Sequence, residues 1–288
     1  MKQKIIYALG YFDGVHLGHK ALLAACRFLA KEKGCNCGAV TFSSHPQQLL
    51  QGKNPRLINT NEDREELLLS GVDTVLELAF TPELQNMQWH AFCNMLVEKH
   101  HAAGFVCGTD FRFGKGGEGT ALLLQNYCLE KGLYCKLVEQ VEKDGIRVSS
   151  THIRSLLEQG DLEQANRYLG HSHILSGTVC HGKALGRTIG IPTANLSYPR
   201  SMVQLPYGVY ATRVTVEGKT FPAVTNVGNR PTVNGENVTV ESYLLGFEGD
   251  LYGKNIQVEF LRFVRKEQKF ESLAALQQQI RIDIENCK

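Results

Sequence analysis

The chain is poor in the features that announce a partner by bulk. Lys and Arg total 31 against 29 Asp and Glu, a net charge of +2. That balance leaves no broad basic face for duplex nucleic acid or an anionic membrane, so small charged ligands are the expected partners. No run of eighteen apolar residues occurs, so no membrane span is expected. The apolar start of the chain is interrupted at Asp13 before a signal-peptide core could form, and no small-residue cleavage site follows. There are nine cysteines but no C-x-x-C pair. Cys35 and Cys37 make a lone C-x-C beside Gly34, and without a second ligand pair this is not a zinc site. Reduced, buried thiols in a cytoplasm are expected instead. Internal repeats, low-complexity segments, long charge blocks and a G-x-x-x-x-G-K-[ST] phosphate loop are also missing.

What is present is an ordinary globular composition, 43% hydrophobic and 21% charged over 288 residues, enough for two cores. The first half alternates strand-like and helix-like runs. IIYAL (5–9) reads as a strand, and 19–33 as a helix with Leu22, Leu23, Cys26, Leu29 and Ala30 on one face and Gly34 as its stop. GAVTF, VDTVLEL, GFVCG and YCKLVEQV read as further strands; helical runs lie among them, the one after Thr60–Asp63 capped there. Such alternation predicts a parallel sheet covered on both faces, with ligands at the carboxyl ends of its strands. From about residue 174 five strand-like stretches follow one another with turn signals between them, predicting a small antiparallel barrel closed by one amphipathic helix over 270–287. The expected domains are therefore 1–157 and 173–288, joined by a helical linker over 158–172.

Three segments of the first half carry chemistry. GYFDGVHLGH (10–19) sits between a strand and a helix. Gly10, Gly14 and Gly18 permit a sharp turn and close backbone approach to a ligand. The helix start offers unpaired N–H groups to an anion. His16 and His19 add donors for oxygens that gain charge in phosphoryl or nucleotidyl transfer; the alternative is that they only cap a tight turn. GTDFRFGKGGEGT (108–120) surrounds Asp110, Phe111, Arg112 and Phe113 with glycines, as suits a loop around a planar or phosphorylated ligand or equally a surface loop. VSSTHIR (148–154) sets Ser149, Ser150 and Thr151 at a helix start as caps, with Arg154 one turn in and shaped to hold a pyrophosphate.

In the second half HGKALGRTIGIPTANL (181–196) combines Gly182, Gly186 and Gly190, which let backbone approach phosphates, with Lys183 and Arg187 to offset their charge. Thr193 and Asn195 offer neutral oxygens of the kind that suit Mg²⁺ shared with substrate phosphates. Glu241 is a lone acid in the strand VTVESYLL, a disfavoured position unless that face is exposed or functional.

The H-x-G-H turn, the G-x-D-F-R-F-G loop and the S-S-T-x-x-R helix start, in this order, resemble bacterial bifunctional riboflavin kinase/FAD synthetases, and the resemblance runs through essentially the whole chain. It implies a Rossmann-like HxGH nucleotidyltransferase domain followed by a riboflavin kinase-like antiparallel β-barrel with a C-terminal helix. The first domain would transfer AMP from ATP to FMN, with Gly10, Phe12, Asp13, His16, Gly18, His19, Ser150, Thr151 and Arg154 at the ATP phosphates and residues 110–113 beside the nucleotide or flavin. G-x-x-L-G-R-x-x-G-x-P-T-A-N looks like the ATP–Mg²⁺ motif of riboflavin kinases. Glu241 matches that family's base for the ribityl 5′-hydroxyl, and Asn229, Arg230, Arg265 and Glu267 match flavin-pocket segments. Riboflavin, FMN, FAD and ATP–Mg²⁺ are thus the implied ligands, in the cytoplasm, with no nucleic acid and no membrane. The sequence departs from the family at His152 (commonly arginine), at Thr120 (commonly acidic) and at Ser43-Ser44 (commonly Glu-Pro). Those departures leave open a kinase whose first domain is a weak or different nucleotidyltransferase. A flavin-nucleotide sensor is the non-enzyme alternative.

Overall fold

The computed structural model describes residues 3–45, 56–181, 191–232 and 235–287, with side chains at 230–232, 235–237 and 273 excluded. It packs as two compact units, Met1–Pro55 with Arg64–Ser150, and Arg56–Asp63 with Thr151–Lys288. This division departs from the expected one in two ways. The segment expected as a linker, 158–172, falls in the second unit together with residues 151–157 before it, and so does a short segment from the first half.

The first unit is built on strands β1 (Ile5–Leu9), β2 (Asn36–Phe42), β3 (Thr74–Leu78), β4 (Ala102–Gly108) and, after the two-stranded ribbon β5 (Arg112–Phe113) and β6 (Gly119–Thr120), β7 (Tyr134–Val138). Their order is β3-β2-β1-β4-β7, and every pair is parallel. Alternation along the central strand explains its unbroken apolar run. Tyr7 and Leu9 enter the core on one face with Phe105 and Leu124, while Ile6 and Ala8 enter the core on the other with Phe12 and Cys26. Helices α1 (Leu17–Lys33), α2 (Asn61–Leu69, of which Asn61–Asp63 belong to the second unit), α3 (Pro82–Gln85), α4 (Trp89–His100) and α5 (Ala121–Lys131) supply the crossovers. Gly34 ends α1 in the left-handed conformation at φ 63°, its N–H returned to Ala30 and Lys31, as its sequence position suggests. Thr120, where the family commonly has an acid, caps α5 by accepting from the Leu123 N–H at 3.2 Å. A hairpin, β8 (Glu142–Lys143) and β9 (Ile146–Arg147), leads out of the sheet.

The second unit begins with α6 (Ser150–Gln159, of which Ser150 belongs to the first unit) and α7 (Leu162–Leu169). Six strands follow, β10 (His173–Thr178), β11 (Ala194–Ser197), β12 (Gly208–Val216), β13 (Lys219–Thr232), β14 (Gly235–Leu244) and β15 (Asn255–Lys266). Their order is β10-β15-β12-β13-β14-β11, all antiparallel. A bridge between Cys180 and Asn195 brings the two outer strands together, so the barrel is nearly closed. Helix α8 (Leu273–Cys287) lies beyond β15. The supposed linker is core material: Leu162, Ala165, Tyr168 and Leu169 of α7 are buried, and Asn166 donates to the Phe260 carbonyl of β15 at 2.8 Å. Residues 56–63 join the same unit by pairing Leu57 with Met202, through Leu57 N–H to Ser201 at 2.7 Å and Val203 N–H to Leu57 at 2.7 Å.

Candidate active sites

In the first unit the chain leaves β1 and turns through three residues of positive φ, Phe12 (61°), Gly14 (80°) and Val15 (38°), before α1 begins. Two non-glycine residues held there store strain of the kind that clusters at functional turns. His16 caps α1, its Nδ1 accepting from the His19 N–H at 3.3 Å, which leaves its own proton on Nε2. The two imidazoles stack with centroids 3.6 Å apart at 13°. Burial, and then the neighbouring His16, hold His19 well below the usual imidazole value, so at neutral pH its ring is uncharged. Its Nδ1 is shut off from solvent without a partner. Gly18 suits this packing: a Cβ there would sit a tight 3.2 Å from the His16 ring. Gly10, Gly18, His16 and His19 line a cavity of about 280 Å³ at the carboxyl end of the sheet, with Ser149, Ser150 and Phe111 among the other walls.

Other expected residues fall elsewhere. Phe12 and Asp13 are 0% and 3% exposed and do not line the cavity. Phe12 packs beneath His19 with ring centroids 5.2 Å apart, and the Asp13 carbonyl accepts from Ser150 Oγ at 2.9 Å, so both support the turn from behind. Phe113 is buried in the core against Phe92 and Trp89, and Arg112 is exposed and is not a cavity residue. Asp110 does line the cavity, but its Oδ2 is taken by Arg147 at 2.5 Å and Gln140 at 3.1 Å. Arg147 was missed from the sequence because it sits in a hairpin with no glycine or histidine to mark it. Thr151 and Arg154 bond to each other at 3.3 Å, and His152 packs edge-on against Tyr168 at 4.9 Å; all belong to the second unit.

In the barrel, strand register composes the site. Asn195 on β11 faces Glu241 on β14, Glu241 faces Asn226 on β13, Asn226 faces Val209 on β12, and Val209 faces Arg265 on β15. One transverse row therefore carries five side chains from five strands to the same face. Glu241, Asn226, Val209 and Arg265 line a cavity of about 590 Å³ completed by Phe270 and by Leu276, Ile280 and Asp283 of α8. A second cavity of about 310 Å³, with Phe247, Asp250 and Tyr252 in its walls, shares Thr193 and Tyr243 with the first. Asn195 is 4% exposed. Its Nδ2 donates to the Thr193 carbonyl at 3.2 Å and reaches Thr193 Oγ1 at 3.4 Å, while its Oδ1 has no partner. An orphaned buried carboxamide oxygen beside a threonine hydroxyl fits a hard, oxygen-seeking cation. Arg265 is not free for a flavin: it makes a two-pronged pair with the buried Asp283 at 2.9 and 2.7 Å. Glu267 accepts from Asn226 Nδ2 at 3.0 Å, and Gly228 is what lets it dock, since a Cβ there would sit 2.2 Å from Glu267 Oε1. Asn229 lies next along β13 with its Oδ1 buried and unpartnered. Gly182, Lys183, Gly186, Arg187 and Gly190, and the side chain of Arg230, lie outside the described residues.

The family model described as FAD synthetase matches residues 1–152, and the one described as riboflavin kinase matches residues 169–288. The chain belongs to the bifunctional riboflavin kinase/FMN adenylyltransferase family. The member from Bacillus subtilis (strain 168) is 34% identical over 286 residues, covering 97% of this chain and 90% of the relative. The member from Escherichia coli (strain K12) is 39% identical over 282 residues, covering 96% and 90%. A crystal structure described as a macrolide-efflux protein from Streptococcus pneumoniae matches with a TM-score of 0.88 at 30% identity, covering 99% of this chain and 94% of that one. Among the described residues no helix is long and apolar enough to cross a membrane. The FAD synthetase match covers the part of the chain that holds the H-x-G-H cavity, and the riboflavin kinase match covers the barrel.

Proposed function

We propose that the chain phosphorylates riboflavin in the barrel and adenylylates the resulting FMN at the H-x-G-H turn, both from ATP, with Glu241 and the His16–His19 pair as the working groups. The observation that carries the kinase reading is the row that pairs Glu241, in the wall of a large cavity suited to a tricyclic ring, with Asn195 on the next strand, two residues from the Thr193 that this cavity shares with a smaller one. Glu241 accepts the proton of the ribityl 5′-hydroxyl as that oxygen attacks the γ-phosphorus. Mg²⁺, held by Asn195 Oδ1 and Thr193 together with the ATP phosphates, would neutralise their charge. In the first unit an uncharged His19 and the Nε2–H of His16 offer donors to the α-phosphate without repelling each other. Negative charge arriving there strengthens those bonds as the transition state forms. Pyrophosphate leaves toward the helix start at Ser149 and Ser150. All nine cysteines are free thiols, in keeping with work in a reducing cytoplasm.

Incubation of the protein with riboflavin, ATP and Mg²⁺, followed by chromatography, tests the reading: FMN and FAD are the expected products. Glu241→Gln should slow FMN formation by about 10²–10⁴, and His19→Ala should slow FAD formation from supplied FMN by about 10²–10³. Each should leave the other step at its normal rate. FMN without FAD would remove the adenylyl-transfer half, and unchanged riboflavin would remove both.

A further inference from the structure

Arg64, at the start of the crossover into β3, is 1% exposed. A buried guanidinium ordinarily has its donors satisfied, because removing a charge from water costs several kcal/mol otherwise. Here one nitrogen is spoken for: Nη2 donates to the Phe42 carbonyl at 2.7 Å and reaches Glu77 at 3.4 Å. Among the described residues Nε and Nη1 have no acceptor in good hydrogen-bond geometry. What the group does have is an aromatic ring, for its central carbon lies 4.4 Å from the centroid of Tyr11. Tyr11 in turn lines the cavity that holds His16 and His19. Its carbonyl is anchored by Thr41 Oγ1 at 2.8 Å, its ring meets His45 edge-on at 4.5 Å, and its buried hydroxyl interacts with the Arg64 guanidinium. The ring is therefore held from behind by a buried cation.

We propose that Arg64 is a positioning residue for adenylyl transfer, holding Tyr11 as the wall against which the phosphorylated acceptor, a flavin mononucleotide, is seated. The proposal rests on the reading of this cavity as the adenylyl-transfer site. Charge decides which substrate meets Tyr11. The cavity is also walled by Asp110, which Arg147 neutralises, and by Glu139, whose carboxylate accepts from Thr109 Oγ1 at 3.3 Å. An acceptor bearing a dianionic monoester is repelled by Glu139 and drawn toward the Arg64 charge behind Tyr11, while a neutral adenine ring is not repelled by Glu139 and can donate its amino group to it. Because Arg64 is not itself a cavity residue, its effect on the acceptor passes through the ring of Tyr11.

The test is a kinetic comparison in the full-length protein of Arg64→Met, which keeps the length and removes the charge, Arg64→Lys, Tyr11→Leu, and the double variant. Arg64→Met and Tyr11→Leu should each raise the KM for FMN about tenfold, the scale of a desolvated cation–π contact. The KM for ATP and the kcat of FAD formation should move less than about threefold. Arg64→Lys should recover part of the loss, and the double variant should be no worse than the worse single one, since one arrangement is removed twice. FMN formation from riboflavin, read in the same samples, checks that the chain is folded. Unchanged KM for FMN in Arg64→Met with normal kinase activity overturns the proposal while leaving the adenylyl-transfer site standing, which His19→Ala tests separately. An increase confined to the KM for ATP would overturn it by placing the nucleotide, and not the acceptor, on Tyr11.

Discussion

At the scale of single residues, the orientation of one carboxamide is the strongest pointer to the kinase chemistry. Asn195 turns its Nδ2 to Thr193 and leaves its oxygen buried without a partner, an acceptor that the proposed Mg²⁺ would use. Asn195→Ala should therefore raise the Mg²⁺ concentration needed for half-maximal kinase activity by about tenfold or more, the usual scale for a lost metal contact, and leave adenylylation of supplied FMN intact. A Mg²⁺ titration of both steps checks this, and equal damage to both would mean misfolding. The same scale shows where the sequence was legible and where it misled. His16, His19, Asn195 and Glu241 could be picked out because polar groups at a tight turn or mid-strand have few structural uses. Phe12 and Phe113 could not be sorted from ligand-facing residues, since an aromatic in a glycine-rich turn reads the same whether it faces the cavity or the core. Only packing beneath His19 and against Trp89 distinguishes them.

At the scale of elements, helix α8 is a wall of the flavin-sized cavity, and its attachment is concentrated in one pair. Arg265 on β15 grips Asp283 with both prongs, and Gln279 adds a bond to Asp283 at 3.0 Å. Asp283→Ala removes a nearly buried partner and leaves the arginine uncompensated. The expected loss is roughly 3 kcal/mol of stability in the second unit, read by chemical denaturation, together with a higher KM for riboflavin. An unchanged KM would show that α8 stays seated without the pair. The alternating strands of the barrel were legible because each keeps a two-residue period against one core. The ion pair was not, because its partners are 18 positions apart, on a strand and a helix whose mutual approach no local period encodes. Asp110–Arg147, 37 positions apart, escaped for the same reason.

At the scale of the whole molecule, acid is expected to act through a residue remote from either site. His173 is completely buried beside Phe260 with both ring nitrogens unpartnered, and burial pushes its pKa down to about 3. An unfolded chain takes up that proton near pH 6.5, so stability present above that value drains away as the pH falls from about 6.5 toward 3, by about 1 kcal/mol per pH unit from this group. Replacement by leucine should flatten the fall, and melting temperatures measured across that window check it; parallel curves for both proteins would clear His173 of the effect. The traffic of the chain between units has a different consequence. The backbone passes from the first unit into the second at 55–56, back at 63–64, and over again at 150–151. A chain nicked at 150–151 therefore yields an N-terminal piece that still owns eight residues of its neighbour's fold, with Leu57 clasped between Ser201 and Val203 and Asp63 accepting from the Ser176 N–H at 3.3 Å. Two separately made halves should recognise each other through this borrowed segment and comigrate on size-exclusion chromatography, and deleting residues 56–63 should abolish the complementation.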